Sequence, residues 1–249
     1  MAAKPAGRNE AGSTDAGNRF PLHVLREYAL LADGERGAVV GWRGDIAWMC
    51  APRGTPTPSS SSLIGGGGLY AVTPSDIRYV WGGYYEDGSL IWRSRWITST
   101  GVIECREALA YPGDPHTAVL LRRITATDVP AEATVILDAR AGFGRHAMSK
   151  LKNVQGRWTA VSGPVHIRWS GGAQATATRD GALELTVRLG PGEHHDLVLE
   201  LSGSRCPASR WTQHGRGKRP KRRGPPPRLP WERPWRPGNP GRATPSWPA

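Results

Sequence analysis

Short bursts of apolar residues, cut by polar turns, dominate the chain from Phe20 onward. "GAVVG" and "DIAWMC" are two such bursts joined by a tight polar turn, and "GLYAVTP", "HTAVLLRRITATD" and "AEATVILDARAGF" continue the pattern. Bursts of this length, bounded by Gly, Asp and Ser, are typical of β-strands joined by hairpin turns. The pattern predicts roughly ten or more strands before Gly203.

Two stretches near these strands have a different pattern. "FPLHVLREYALLA" is a weak helix candidate, and "SLIWRSRWITS" alternates with period two but slips once, which suggests a β-bulge. Helical periodicity is otherwise nearly absent. We therefore predict an all-β fold, an antiparallel β-sandwich.

Charge is concentrated at one end of the chain. The 249 residues have a formal net charge of +12, yet residues 204–249 contain 12 of the 33 Lys and Arg residues and one acid, Glu232. The same segment holds 11 of the 22 prolines, and it cannot bury enough apolar surface to offset the entropy lost on ordering. We expect a disordered leader (1–19), a folded domain (20–203) and a disordered basic Pro/Arg-rich tail (204–249).

The cysteines and the first residues indicate the compartment. Cys50, Cys105 and Cys206 are odd in number and widely spaced, and no apolar stretch precedes Phe20. Reduced thiols in a cytosol fit this pattern, and no run approaches membrane-spanning length. A cytoplasmic protein without a membrane partner is the expectation.

The first strands carry a family motif. Residues 28–33 ("YALLAD"), 38–40 ("AVV") and 44–53 ("GDIAWMCAPR") resemble the opening of the trehalase- and glucoamylase-like proteins of glycoside hydrolase family 15. "SLIGGGGLYAVTP", "VIECREALAYPG" and "LRRITATD" resemble that family's Gly-rich entry to a strand, its strand with a conspicuous acid and its Arg-Arg strand. The resemblance covers about Phe20 to Gly203. It implies an N-terminal β-sandwich of the supersandwich type, followed in the family by a catalytic (α/α)₆ helical barrel.

Three segments depart from the family pattern. After Arg53 the chain reads "GTPTPSSSS" where the family has a Phe/Trp-Asp-Ser sequence, and "ARAGFGRH" replaces its Arg-Phe-Asp-Tyr-Gly. We hypothesise a compensated pair of frame slips between Arg53 and Ser62. The tail has the Arg, Pro, Gly and Trp composition of GC-rich DNA read out of frame, so our leading interpretation is a frameshift product. A basic arm that binds nucleic acid non-specifically, or a solvated linker, is the alternative.

The resemblance leaves no catalytic residue in this chain. Glycoside hydrolysis needs two carboxyl groups across the scissile bond, and in the family both lie on the helical barrel. Glu104 and Glu107 are three residues apart on a predicted strand, so they face opposite sides, and we interpret them as surface or sheet-edge charges. Arg53, at the end of the most distinctive motif, is the candidate substrate-binding residue.

Other candidate sites have simpler explanations. His194 and His195 would point oppositely beside the turn "GPGEHHD", so we predict no metal site. "IGGGGLY" lacks the Lys-Ser/Thr of a P-loop, and we predict a flexible turn and no cofactor. Cys50 is interpreted as a small core residue.

Aromatic residues are abundant in the middle of the domain. They form either a sugar-stacking platform or part of the core between two sheets, and the second explains most of them. The residues are Trp81, Tyr84, Tyr85, Trp92 and Trp96.

Together these observations predict the non-catalytic N-terminal β-sandwich of a trehalase- or glucoamylase-like hydrolase, without its barrel. The intact parent would hydrolyse an α-glucoside such as trehalose or an α-glucan, and the barrel would be the partner of this domain. The alternatives are a self-standing carbohydrate-binding module and nucleic-acid binding through the tail. Because the surface that meets the barrel should be apolar, we also expect this chain to associate or aggregate.

Overall fold

The computed structural model describes residues 20–52 and 58–204. The predicted leader, Arg53 and, except for Ser204, the predicted tail lie outside these residues. Within the described ranges, no helix has the length and apolar character needed to cross a membrane.

The described residues form sixteen strands and two single-turn 3₁₀ helices, at Leu25–Glu27 and Ser62–Ile64. In chain order the strands are β1 (Ala29–Ala32), β2 (Gly37–Val40), β3 (Ile46–Cys50), β4 (Pro58–Ser60), β5 (Leu69–Pro74), β6 (Tyr79–Tyr85), β7 (Trp92–Thr98), β8 (Val102–Leu109), β9 (Thr117–Ala126), β10 (Ala131–Asp138), β11 (Ser149–Val154), β12 (Arg157–Ser162), β13 (Val165–Ser170), β14 (Thr176–Ala177), β15 (Leu183–Leu189) and β16 (His194–Ser202).

The strands form three antiparallel sheets in two layers. Sheet A has the order β1-β2-β3-β4, sheet B the order β14-β15-β10-β5, and sheet C the order β11-β12-β13-β16-β9-β8-β7-β6. Sheets A and B join through a bridge between Asp45 and Ala71 and a 3.0 Å hydrogen bond from Val72 N–H to the Gly44 carbonyl. This combined layer faces sheet C, so the predicted all-β antiparallel sandwich is confirmed.

The core lies between the layers and follows the alternation of the strands. In β15, for example, every second residue from Leu183 to Leu189 is buried while the residues between them are exposed. Trp96 and Trp169 of sheet C are fully buried and belong to the same apolar cluster as Leu31 and Leu137 of the opposite layer. Burying each such side chain contributes about 1.5–3 kcal/mol.

Two local predictions were wrong. The weak helix candidate forms only the turn Leu25–Glu27 and then β1, because Leu31 is buried and pairs with Ala38 of β2. Tertiary pairing here overrides a weak helical preference. The expected bulge near residue 91 is absent, since β6 and β7 pair without a register shift. The alternation slips there because residues 89–91 belong to the turn and β7 begins at Trp92.

Candidate functional site

Four of the family-like motifs meet in a polar centre between the layers. Glu107 of β8 and Arg122 of β9 are cross-strand partners in sheet C. Arg122 Nη2 lies 2.9 Å from Glu107 Oε1, and both side chains are fully buried. Nη2 also donates a 2.9 Å hydrogen bond to the Gly44 carbonyl, and Nη1 donates one of 3.1 Å to the Tyr70 carbonyl. The guanidinium therefore fastens sheet C to sheets A and B.

The carboxylate of Glu107 has a second buried partner. Ser94 Oγ donates to Glu107 Oε2 at 2.9 Å, and Trp92 Nε1 donates to Ser94 Oγ at 3.0 Å. Glu107 Oε1 itself receives no directed hydrogen bond from the described residues, so its contact with Arg122 is a plain ion pair. Burial raises the pKa of Glu107, while the charge of Arg122 and the hydrogen bond from Ser94 act in the opposite direction.

Aromatic and thiol groups close the polar centre off from water. The Arg122 guanidinium carbon lies 4.4 Å from the centroid of the Tyr70 ring, and the Tyr70 hydroxyl accepts a hydrogen bond from Trp169 Nε1 at 3.2 Å. Burial raises the pKa of Tyr70 to about 12 and raises the pKa of the Cys105 thiol well above its usual range. These groups are buried, neutral and inaccessible to a substrate.

Gly44 is required at the point where Arg122 reaches the opposite layer. Its φ is +74°, and a Cβ placed on it would lie 2.0 Å from the Val72 carbonyl oxygen and 2.9 Å from the Trp96 ring. A side chain here would meet rigid backbone, so the motif "GDIAW" begins with glycine for steric reasons.

Glu104 and Glu107 face opposite sides of β8, as predicted, but only Glu104 lies on the outer face. Its carboxylate oxygens lie 3.2 Å from Arg93 Nη1 and 3.5 Å from Arg95 Nε. The interpretation of Glu107 as a surface or edge charge was wrong. A signal was present in the sequence: Glu107 is in phase with the buried Ile103 and Cys105.

The five central aromatic residues do not share one face. Trp96 is fully buried, Trp81 and Trp92 are half-buried against the core, and Tyr84 is 48% exposed on the outer face. Tyr85 lies on the inner face, and its hydroxyl accepts a hydrogen bond from the Leu30 N–H of β1 and donates one to the Leu30 carbonyl. Packing between the sheets therefore explains most of this group, and a single stacking platform does not form.

An aromatic cluster that the sequence did not reveal lies around Trp42, in the β2–β3 turn. The Trp42 ring contacts His23 at 5.0 Å, Tyr79 at 6.0 Å and Trp81 at 6.4 Å between centroids, and the Arg43 guanidinium carbon lies 4.6 Å from the centroid of the Trp42 ring. The indole N–H groups of Trp42 and Trp81 are buried without a hydrogen-bond partner among the described residues. These N–H groups are therefore closed to a ligand in this conformation, and the cluster offers only its partly exposed ring surface.

The remaining candidates have structural partners or fall outside the described residues. His194 and His195 alternate on β16, and His195 Nε2 lies 2.8 Å from the Gly171 carbonyl. Among residues 20–52 and 58–204, no three metal-ligating side chains are grouped as for a metal ion. Cys50 is half-buried on β3, and burial raises the pKa of its thiol. Arg53 has no described position.

The predicted glycine turn is packed against its neighbours. A Cβ on Gly66 would lie 2.2 Å from Ser61 Oγ, and one on Gly144 would lie 2.3 Å from Gly67 N. The segment connects β4 to β5 after a turn at Ser62–Ile64. Its glycines allow this close packing of the chain.

Comparisons with known proteins identify the family. The family described as "Trehalase-like, N-terminal" matches residues 21–225, which extends beyond Gly203. A trehalase of Mycolicibacterium smegmatis is 29% identical over 185 residues, covering 69% of this chain and 26% of that trehalase. A trehalase of Mycobacterium tuberculosis is 31% identical over 96 residues, covering 36% of this chain and 14% of that protein. The chain thus spans at most about a quarter of the length of these relatives. By the extent of the family match, this chain belongs to the trehalase-like N-terminal domain family.

Proposed function

We propose that this domain is the non-catalytic support of a trehalase- or glucoamylase-like enzyme of glycoside hydrolase family 15. In the intact parent, a helical catalytic barrel would carry the two carboxyl groups and hydrolyse an α-glucoside, with trehalose as the first substrate to test. Both relatives are trehalases that extend well beyond the matched segment, which supports this division of labour.

The observation that carries the proposal is the sealed Glu107–Arg122 centre. A proton donor for glycoside cleavage must reach the glycosidic oxygen, yet Glu107 is fully buried. Of the other carboxylates on β8 and the neighbouring hairpin, Glu104 and Glu86 are held by arginines on the outer face of sheet C. The motifs that identify the family therefore build the connection between two layers rather than an open acid pair.

Glucose release from trehalose tests the proposal directly. The purified chain should release none, whereas a chimera in which it replaces the matched segment of the M. smegmatis trehalase should be active. Arg122→Met in the chimera should lower the temperature at which that activity is lost, because it destabilises the support. Cleavage of trehalose by this chain alone would contradict the proposal.

Arg53 remains a proposed sugar contact, since it ends the most distinctive motif. In the active chimera, Arg53→Ala should raise the KM for trehalose more than it lowers kcat, because a residue that only binds substrate acts on affinity. Arg78→Ala, which removes an exposed arginine elsewhere, is the matched control. Equal kinetics for the two variants would remove Arg53 from the site.

A carbohydrate-binding module is the second candidate, and the Trp42 cluster favours it. The Trp42 ring is only half-buried, and an aromatic face that remains partly exposed is suited to stacking on a sugar ring. Calorimetric titration with trehalose and malto-oligosaccharides should give saturable heat that is lost in Trp42→Ala and retained in Trp48→Ala, since Trp48 is also half-buried. An absence of heat with the wild-type chain would reject this candidate.

A cytoplasmic location is also part of the proposal. Cys50 and Cys105 are both free thiols, which fits a reducing compartment. Fractionation of cells that express the chain with its own N-terminus would test it, and recovery from the medium would contradict it.

A further inference from the structure

Strand β6 forms one edge of sheet C and lacks the features that protect edge strands. Its sequence, "YVWGGYY", contains no charged residue and no proline, and its seven residues pair with β7 without a bulge. Exposed edges normally carry lysines, prolines, bulges or a covering segment, because unpaired backbone groups accept another strand.

The opposite edge of sheet C has such protection. Strand β11 carries Lys150 and Lys152, and its register with β12 shifts between Ser149 and Lys152. Lys150 also has a φ of +56°, which departs from strand geometry. The edge of sheet B at β14 is only two residues long.

The edges of sheet A are covered by other parts of the molecule. The hydroxyl of Tyr85 accepts the Leu30 N–H of β1 at 2.7 Å and lies 3.1 Å from the Leu30 carbonyl. On β4, the Ser59 carbonyl accepts the Arg140 N–H at 3.0 Å. Compared with these edges, β6 is the unprotected one among the described strands.

The hairpin register shows which groups of β6 point outward. Glu86 N–H donates to the Ile91 carbonyl at 2.9 Å. Because antiparallel pairs alternate, Tyr84, Gly82 and Val80 turn their backbone groups toward β7. The intervening residues turn theirs to the free edge, without a backbone partner among the described residues; they are Tyr79, Trp81, Gly83 and Tyr85.

The outer face of β6 itself is apolar and open, while the neighbouring strand β7 places Arg95 opposite Gly82 on that face. Val80 is 69% exposed, Tyr84 is 48% exposed, and Ile97, the cross-strand neighbour of Val80, is 50% exposed. A Cβ placed on Gly82 would have no atom within 4 Å. Nothing described covers the strand at its centre.

We propose that β6 pairs with β6 of a second copy of this chain, antiparallel and about a two-fold axis at Gly82. The sequence is self-complementary in this register, because Val80 of one copy lies opposite Tyr84 of the other on the outer face. Cross-strand pairs of β-branched and aromatic residues stabilise antiparallel strands by about 0.2–1 kcal/mol each. The two Gly82 residues meet at the close, non-hydrogen-bonded position, where a missing side chain permits approach.

Such an interface is closed and small. The outward N–H and C=O groups of the four edge residues pair with those of the second copy, which uses up the free edge of both sheets and limits the assembly to a dimer. Because one added strand buries little surface, we expect a weak dimer that dissociates on dilution.

Sedimentation of the full chain over a dilution series tests the assembly. Val80→Lys should weaken dimerisation about tenfold or more, since it removes both Val80–Tyr84 pairs and places two charges at the edge. Val154→Lys is the matched control, because Val154 is 55% exposed on the other edge strand of sheet C. It should leave the dimer unchanged, and equal unfolding midpoints would show that both variants fold.

Hydrogen exchange locates the contact. The amides of Trp81 and Gly83 should become protected as the protein concentration rises, while those of β11 should not change. A monomer at all concentrations, assembly beyond a dimer, or an equal effect of the two lysines would overturn the proposal. Protection of the β6 amides that is independent of concentration would assign the edge to a segment of the same chain and would also overturn it.

Discussion

Glu107 and Arg122 stand opposite each other on neighbouring strands, 2.9 Å apart between Oε1 and Nη2, with no exposed surface on either side chain. Removing one partner leaves a buried charge uncompensated, which costs about 3–5 kcal/mol. Arg122→Met should therefore lower the free energy of unfolding by about this amount in urea titrations.

The double variant Glu107→Leu/Arg122→Met is the control for that prediction. Replacing both charges with apolar groups removes the uncompensated carboxylate, so it should recover a large part of the loss. A double variant no more stable than Arg122→Met would mean that the hydrogen bonds to the Gly44 and Tyr70 carbonyls carry the stability instead.

Gly44→Ala should be among the most damaging single-methyl changes in the domain. The added Cβ would lie 2.0 Å from the Val72 carbonyl oxygen at a residue with positive φ, so strain of about 1–2 kcal/mol adds to an overpacking cost of about 1–3 kcal/mol. Gly88→Ala is the matched control, because Gly88 also has positive φ but a Cβ added there would have no atom within 4 Å. In thermal unfolding, Gly44→Ala should lower the melting temperature more than Gly88→Ala, because only Gly44→Ala adds a steric clash to the backbone strain. Equal decreases in melting temperature would contradict the clash.

The pH dependence of stability should show two opposite contributions. Burial raises the pKa of Asp45, while a backbone hydrogen bond and the charge of Arg122 act in the opposite direction. The folded state then holds this proton to higher pH than the unfolded state, so Asp45 lowers stability as pH rises from its ordinary pKa through its folded pKa. Asp45→Asn should gain stability relative to the wild type over that window in urea titrations at successive pH values.

Glu86 should change the pH dependence of stability in the opposite direction to Asp45. Burial opposes its charge, but hydrogen bonds from Arg106 and Arg93 lower its pKa overall. Its contribution is present above the ordinary pKa and is lost as pH falls through the folded pKa. The advantage of the wild type over Glu86→Gln should therefore shrink in acid, and a constant difference would show that the carboxylate is not coupled to folding.

Tyr85→Phe should expose the edge of β1. The change removes the hydroxyl that holds the Leu30 N–H and carbonyl, and losing such a hydrogen bond costs about 1 kcal/mol. Tyr84→Phe removes the same atom on the opposite face, where no hydrogen bond to a described residue is found, and should be nearly neutral. Denaturant midpoints at high dilution, where the chain is monomeric, would compare the two.

The layer architecture could be predicted from alternation, but the polar centre could not. Short apolar bursts such as "GAVVG" and "DIAWMC" became β2 and β3 as expected, because one buried face imposes period two on the sequence. Glu107 and Arg122 interrupt two buried stripes with opposite charges. The two charges can be recognised as an ion pair only when β8 and β9 are known to be neighbours. Because strand pairing depends on the whole fold, the sequence alone does not show it.

The Trp42 cluster was missed for a related reason. Trp42 lies in a turn, where the hydrophobic pattern does not indicate which way a side chain points. Its ring neighbours Tyr79 and Trp81 come from a different layer. The failed helix near Leu25 shows the converse: a local preference existed, but pairing of β1 with β2 determined the outcome.

Strand β16 occupies the middle of sheet C, between β13 and β9, although it is the last of the sixteen described strands to be synthesised. Until β16 has been translated, β9 is paired only with β8 and β13 only with β12, so each has one unpaired edge and the large sheet remains in two halves. The domain therefore cannot complete its folding during translation until Ser202 has left the exit tunnel, and nascent chains that stall before that point would expose bare strands to chaperones.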